Sequence, residues 1–251
     1  MRQTAKQPIG VRMAKRPVSR SSFYLYMSVA FLALALAGFS TTFFIPVVRG
    51  TFSAPAVIHV HAALVFGWLL FLILQVSLIR RRKVVAHRQL GIAGFALALG
   101  VVASGVMVGF HATRRDMAAG GDDLVLGQLV NIHIEMLLFG GLVAAAIYFR
   151  RDGESHKRLL ILATISALAP AWLRLRHLLP FVPNPFVTFS LLADSLLLVG
   201  MARDLIVMRR IHPVYIWAGA GMVAVHVLEI LAIRCEPWLR LSRWLLNSTA
   251  A

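Results

Sequence analysis

Charge is scarce in this chain. Lysine, arginine, aspartate and glutamate make up 14% of its 251 residues, against roughly 25% in a typical soluble domain. Acids are scarcer still, 10 residues beside 26 lysines and arginines. Cysteine is almost absent: the single thiol, Cys235, excludes an intrachain disulfide and any cysteine-rich metal or iron–sulfur centre. No HExxH and no Ser-His-Asp order is present, so nothing points to a zincin or a serine hydrolase. No basic module interleaved with aromatics accompanies the +16 net charge, and nucleic acid is excluded as a partner. Internal repeats and low-complexity linkers are missing too.

What remains is apolar. Hydrophobic residues are 59% of the chain and the mean hydropathy is +0.77, more apolar surface than a soluble fold of this length can bury. A lipid bilayer is the implied solvent and principal partner. A helix needs about 20 apolar residues to span it, and seven segments qualify: 23–48, 56–79, 91–110, 125–149, 159–179, 185–207 and 213–233. Lipid offers no partner to an open backbone, so the expected fold is all-α, a polytopic bundle of seven transmembrane helices. Pro170 is expected to kink the fifth span, and Pro180, Pro183 and Pro185 to make a tight turn.

Alternating loops orient the bundle. Segments 2–20, 80–88, 150–158 and 203–210 hold 18 of the 26 basic residues, a positive-inside asymmetry. The expected location is the cell inner membrane, N-terminus cytoplasmic and C-terminus periplasmic. The organisation is then a basic cytoplasmic tail over 1–22, a transmembrane domain over 23–234 and a short interfacial amphipathic segment over 235–251. Ala35-Leu36-Ala37 loosely imitates a signal-peptide cleavage site, but the apolar run continues to Val48 and reads as an uncleaved helix. Gly105 and Gly109, with Gly100 and Ser104, give the third span a small face for close packing. Tyr24, Tyr26, Tyr148, Tyr215 and Trp217 are expected as interfacial anchors. In the C-terminal segment Trp238, Leu241, Trp244 and Leu245 are expected to share one face.

Ionisable groups inside a bilayer are costly and mark functional positions. Counting 1.5 Å per residue, His59, His61, His133, Glu135, Asp194, His226 and Glu229 fall from mid-membrane to the outer edge, with His111, Arg174, Arg176 and His177 capping helices at that level. His226 and Glu229 are i, i+3 and share a face. His61, His133, His226 and Glu229 form a candidate ligand set for zinc, iron, copper or haem b. Glu135, Asp194, His59, Arg174 and His177 complete the polar cluster or a proton path. His87, His156 and His212 precede spans on the inner side and read as helix caps, with a second, inner ligand set as the minority reading.

The segment from His61-Ala-Ala-Leu through Gln75, then His87-Arg-Gln-Leu-Gly91, resembles an uncharacterised family of bacterial polytopic predicted membrane proteins. His156-Lys-Arg-Leu-Leu and the later Arg174 are similar to a further segment of that family. The resemblance covers roughly residues 55–176 and implies a bacterial membrane protein without implying an activity. Zinc-dependent seven-helix hydrolases carry H-x-x-x-H in their last helix, where this chain has His226-Val-Leu-Glu229.

Three functions follow as expectations. The first is a membrane redox or metal-binding protein using the outer cluster, with His133 and either His61 or His226 as haem ligands. The second is a proton-coupled transporter or channel working through Asp194, Glu229 and Glu135. The third is a non-catalytic subunit or assembly factor, with a membrane-complex partner or a second copy of itself.

Overall fold

The computed structural model describes residues 22–179 and 181–248; the basic tail over 1–21, Pro180 and residues 249–251 lie outside them. Among the described residues there is helix and no strand. The helices are α1 (Phe23–Phe39), α2 (Ile45–Val48), α3 (Ala56–Arg80), α4 (Val84–Ala118), α5 (Asp123–Tyr148), α6 (Gly153–Ala167), α7 (Ala169–Arg174), α8 (Pro185–Met208), α9 (Ala220–Ala232) and α10 (Glu236–Ser248). A π-helical turn, Ser40–Phe44, joins α1 to α2, and another, Tyr215–Gly219, leads into α9.

Six stretches are helical, long and apolar enough to cross a membrane among the described residues: Phe23–Val48, Ala56–Arg80, Val84–Ala118, Asp123–Tyr148, Gly153–His177 and Tyr215–Ala232. The expected seventh, 185–207, forms the 24-residue α8 and stands outside that set, carrying Asp194, Arg203 and Asp204 along its length. The third span is much longer than its apolar run. α4 has 35 residues, about 52 Å at 1.5 Å per residue, so both His87 and His111 fall inside it.

Short connections make sequence neighbours antiparallel. Asp122 caps α5 by accepting from the backbone N–H of Leu124 at 3.0 Å and Val125 at 3.4 Å. Asp152 caps α6, accepting from Glu154 N at 3.0 Å and from the Ser155 hydroxyl at 2.5 Å. That hydroxyl is the main reason the Asp152 carboxyl sits below the usual carboxylate range. Near Pro170 the helix is interrupted: α6 ends at Ala167 and α7 begins at Ala169.

The core gathers around α6, whose Leu162, Ala163 and Ile165 are fully buried among Phe31, Trp68, Leu69, Val101 and Phe139. Thr164 on α6 accepts from Trp68 Nε1 at 3.2 Å. Small residues let backbones approach. A Cβ on Gly38 would run into the Ala171 carbonyl, one on Gly127 into the Ile233 carbonyl, and one on Gly105 into Met136. The small face of α4 packs closely against two helices, Gly105 and Gly109 meeting α5 and Gly100 and Ser104 meeting α3.

Two expectations about aromatics change. Tyr26, Tyr148 and Trp217 are exposed, as anchors should be, but Tyr24 and Tyr215 are buried. They turn inward because charge waits there: Arg158 lies over the Tyr215 ring at 5.7 Å and Arg203 over the Tyr24 ring at 5.4 Å. In α10, Leu239 and Ser242 are buried while Leu241 and Trp244 face outward. Trp238 leaves the expected shared face, its Nε1 donating to the Gly127 carbonyl and to Asn131 Oδ1, each at 3.1 Å.

Arg158 is the largest fully buried side chain among the described residues. It donates from Nε and Nη2 to the two oxygens of Asp204 at 2.8 and 2.6 Å, and from Nη1 to Glu154 at 2.6 Å. Both Arg158 and Asp204 are 0% exposed. The bidentate pair fastens α6 to α8.

Removing one partner leaves a buried charge unpaired, which costs about 3–5 kcal/mol. Arg158→Met and Asp204→Leu are each expected to lower the unfolding temperature in detergent steeply, and the double variant to recover most of that loss. Equal losses in single and double variants would contradict the pairing. The Asp152 cap adds a pH dependence: its depressed carboxyl contributes stability above the unfolded value of about 4, lost as pH falls through the folded one. Asp152→Ala is expected to cost about 1 kcal/mol at neutral pH and to flatten the acid limb of the Tm–pH profile.

Candidate functional site

A second buried polar cluster is built on α5, α8 and α9. His226 is 5% exposed and Glu229, one turn further along α9, is equally hidden. The His226 ring is held between two carboxylates: Nδ1 lies 2.7 Å from Asp194 Oδ1 on α8, and Nε2 lies 3.0 Å from Glu135 Oε1 on α5. The first is a directed hydrogen bond. The second is an ion-pair contact without hydrogen-bond alignment, and Nε2 counts among the buried atoms with no bonded partner. Glu229 stands beside Glu135, His226 and Asp194, with its own Oε1 and the Glu135 Oε2 also buried and unbonded.

Helical spacing explains why these side chains converge. His226 and Glu229 lie on one stripe of α9, and that stripe carries Met222, the other fully buried residue of the helix. Three carboxyl groups and one imidazole thus meet between three helices. Such a set can hold and pass protons, because the imidazole joins two carboxylates through its two ring nitrogens.

The remaining expected members are placed elsewhere. His61 Nδ1 is 2.9 Å from Ser104 Oγ of α4, and its Cε1 borders Gly105. His133 Nδ1 is 2.6 Å from the Leu129 carbonyl, its ring stands edge-on to Phe110, and its Nε2 is buried without a partner. His59 is exposed and sits between Phe43 and Phe52 rather than in the cluster. Arg174 stacks on the Phe39 ring at 4.4 Å and donates to the Pro170 carbonyl, while His177 is exposed. Among the described residues no three His, Cys, Asp or Glu side chains are gathered so as to hold a metal ion. The four proposed ligands therefore divide: His226 and Glu229 join the carboxylates, and His61 and His133 take separate partners.

Comparisons with family models, curated proteins and solved structures each return no match. The site has to be read from its own chemistry.

At the opposite end of the bundle His212 Nδ1 accepts from Val214 N at 3.3 Å. Burial, and then the charge of Arg158, hold its imidazole below the usual value. His156 and His87 do not cap helix starts. His156 Nδ1 meets the Ala146 carbonyl of α5 at 2.7 Å and the His156 ring faces His87. Arg158 and Asp204 were missed as a pair because both lie near the inner loops and Arg158 counts there as a topogenic charge. The available signal was Asp204, an acid inside an apolar run, together with Glu154 four residues before Arg158.

His226→Leu strips both flanking carboxylates of their partner. It is expected to lower thermal stability by about 3 kcal/mol, the cost of unpaired buried charge, read as a loss of Tm in detergent at neutral pH. His59→Leu, at an exposed position outside the cluster, is expected to stay within about 0.5 kcal/mol of the parent.

Proposed function

We propose that this is a multi-pass membrane protein that couples its work to proton movement through the Asp194–His226–Glu135–Glu229 cluster, as a proton-coupled transporter or channel. One observation carries the reading: a buried imidazole with a carboxylate at each ring nitrogen and a third carboxyl alongside. Fully ionised, the set would hold two uncompensated negative charges in a medium that penalises even one, so the cheaper state retains protons within it. Buried Glu135 Oε2 and Glu229 Oε1, lacking protein partners, are the positions from which a proton or a solute group would be exchanged.

Seven crossings suit this reading. α8 links the cluster at Asp194 to the Arg158 pair at Asp204, ten residues or about 15 Å of helix away. Its 24 residues measure about 36 Å, enough for the hydrocarbon core of about 30 Å. With seven crossings and a cytoplasmic N-terminus, the cluster faces the outer half of an inner membrane.

A second reading, a haem or metal redox site on His61 and His133, rests on the buried free Nε2 of His133. The two residues share a depth, since each lies about two turns outward from the contacting Trp68 and Phe139 rings on the same two helices.

Two measurements test the proton reading and the topology. In proteoliposomes, pH-driven flux is expected to fall at least tenfold in Asp194→Asn and in Glu229→Gln. Flux indistinguishable from empty vesicles for the parent protein, or unchanged in both variants, would remove the proton reading. The exposed Cys235 follows α9 and is the natural label for orientation. A membrane-impermeant maleimide should modify it from the periplasmic side of intact spheroplasts, and labelling only in inverted vesicles would reverse the topology.

A further inference from the structure

The first acidic residue in the chain is Asp116, so the basic tail, α1, α3 and nearly all of α4 carry no carboxylate. Arg80, Arg81, Arg82 and Lys83 nevertheless stand in a row where α3 ends. The acids at that end of the bundle are engaged elsewhere. Asp152 caps α6, Glu154 pairs with Lys157 and Arg158, and Asp204 pairs with Arg158 and Arg203. Among the described residues no ion pair reaches any of the four cations at the end of α3.

Two of those cations border an open space. A cleft of about 290 Å³ is lined by Leu25 from the start of α1 and by Ser77, Arg80 and Arg81 from the end of α3. Arg80 is steadied there by donating from Nη2 to Ser22 Oγ at 3.1 Å. Arg81 is exposed and makes no side-chain bond among the described residues. Away from the cleft the surface turns apolar. Leu74 and Leu70 continue the Ser77 stripe of α3 by one turn and two, and Val29 follows Leu25 by one turn of α1. All three are exposed, on helices that pack side by side. A loop that merely orients the bundle acts through its charge and needs no such shape. A cation pair continued by apolar stripes matches a molecule that is anionic at one end and apolar along the rest.

We propose that this cleft seats one anionic phospholipid from the leaflet at this end of the bundle. Its phosphate lies between Arg80 and Arg81, and its acyl chains run along Leu74, Leu70 and Val29. The two guanidinium groups offer forked donors to the phosphate oxygens, and the lipid supplies the negative charge that this part of the chain lacks. A soluble phosphate would meet the same cations and leave the apolar stripes uncovered. The inference rests on the bundle's place in a bilayer and uses nothing of the Asp194–His226 cluster.

Full-length protein in a neutral detergent, titrated with phosphatidylglycerol, phosphatidylcholine or glycerol phosphate, tests this, with bound molecules per chain counted by native mass spectrometry. One phosphatidylglycerol is expected to bind saturably, at least about tenfold more tightly than phosphatidylcholine. Glycerol phosphate at the same concentration is expected not to displace it. Arg80→Gln combined with Arg81→Gln should weaken the binding roughly thirtyfold. Arg150→Gln with Arg151→Gln removes the same charge from exposed positions in another loop at this end, and should leave the binding within about twofold of the parent. If the first double variant fails to fold, Arg81→Gln alone should still weaken binding about fivefold. Equal affinity for the two lipids overturns the proposal, as does an equal loss in the two double variants. Displacement of the lipid by glycerol phosphate overturns it too, by giving the cations to a soluble anion.

Discussion

A bilayer supplies no water to a buried polar group, so every charge carried into this bundle has to find its complement on another helix. That constraint organises the molecule more than its apolar packing does. Arg158 is completely buried and tolerable there only because Asp204 and Glu154 take its donors. Tyr24 and Tyr215 turn away from the interface to lay their rings against Arg158 and Arg203. His226 obeys the same rule with the signs exchanged, one imidazole answering carboxylates from α5 and α8. Buried ion pairs are weak sources of net stability, since desolvation offsets much of their attraction. Here they join α6 to α8 and α9 to α5 and α8.

The scaffold was legible in the sequence because hydropathy is additive along a helix, and a run of 20 apolar residues needs no knowledge of its neighbours. Helix ends were legible where a cap is local, as at Asp122 and Asp152. His226 and Glu229 could be paired for the same reason, one turn apart on one stripe. The partners of His226 could not. Asp194 lies 32 residues away and Glu135 is farther still, and only the rotation of α5 and α8 about their axes brings them in. A periodicity argument gives each helix a polar face without saying what that face meets. His61 shows the limit, since its eventual partner Ser104 was visible only as part of a small packing face. Arg158 shows another: a basic residue at the mouth of a span looks like an orienting charge until the acid opposite it is placed.

The two ends of the bundle now carry different chemistry. One has acids in excess around a single imidazole; the other has basic side chains, two buried tyrosines and a facing histidine pair. α8 is the element common to both, with Asp194 towards one and Asp204 towards the other. A small rotation or slide of α8 would therefore disturb both sets of partners together, which makes it the natural element for relating events at the two faces.

The hold of Trp238 on α5 also has a consequence for biogenesis. Its acceptor Asn131 is made 107 residues earlier, so at roughly 5–20 residues per second the ribosome needs on the order of 5–20 seconds to deliver the donor. During that interval the Asn131 carboxamide oxygen has no indole to bond, so the contact between α5 and α10 closes only after α9 and α10 have been made.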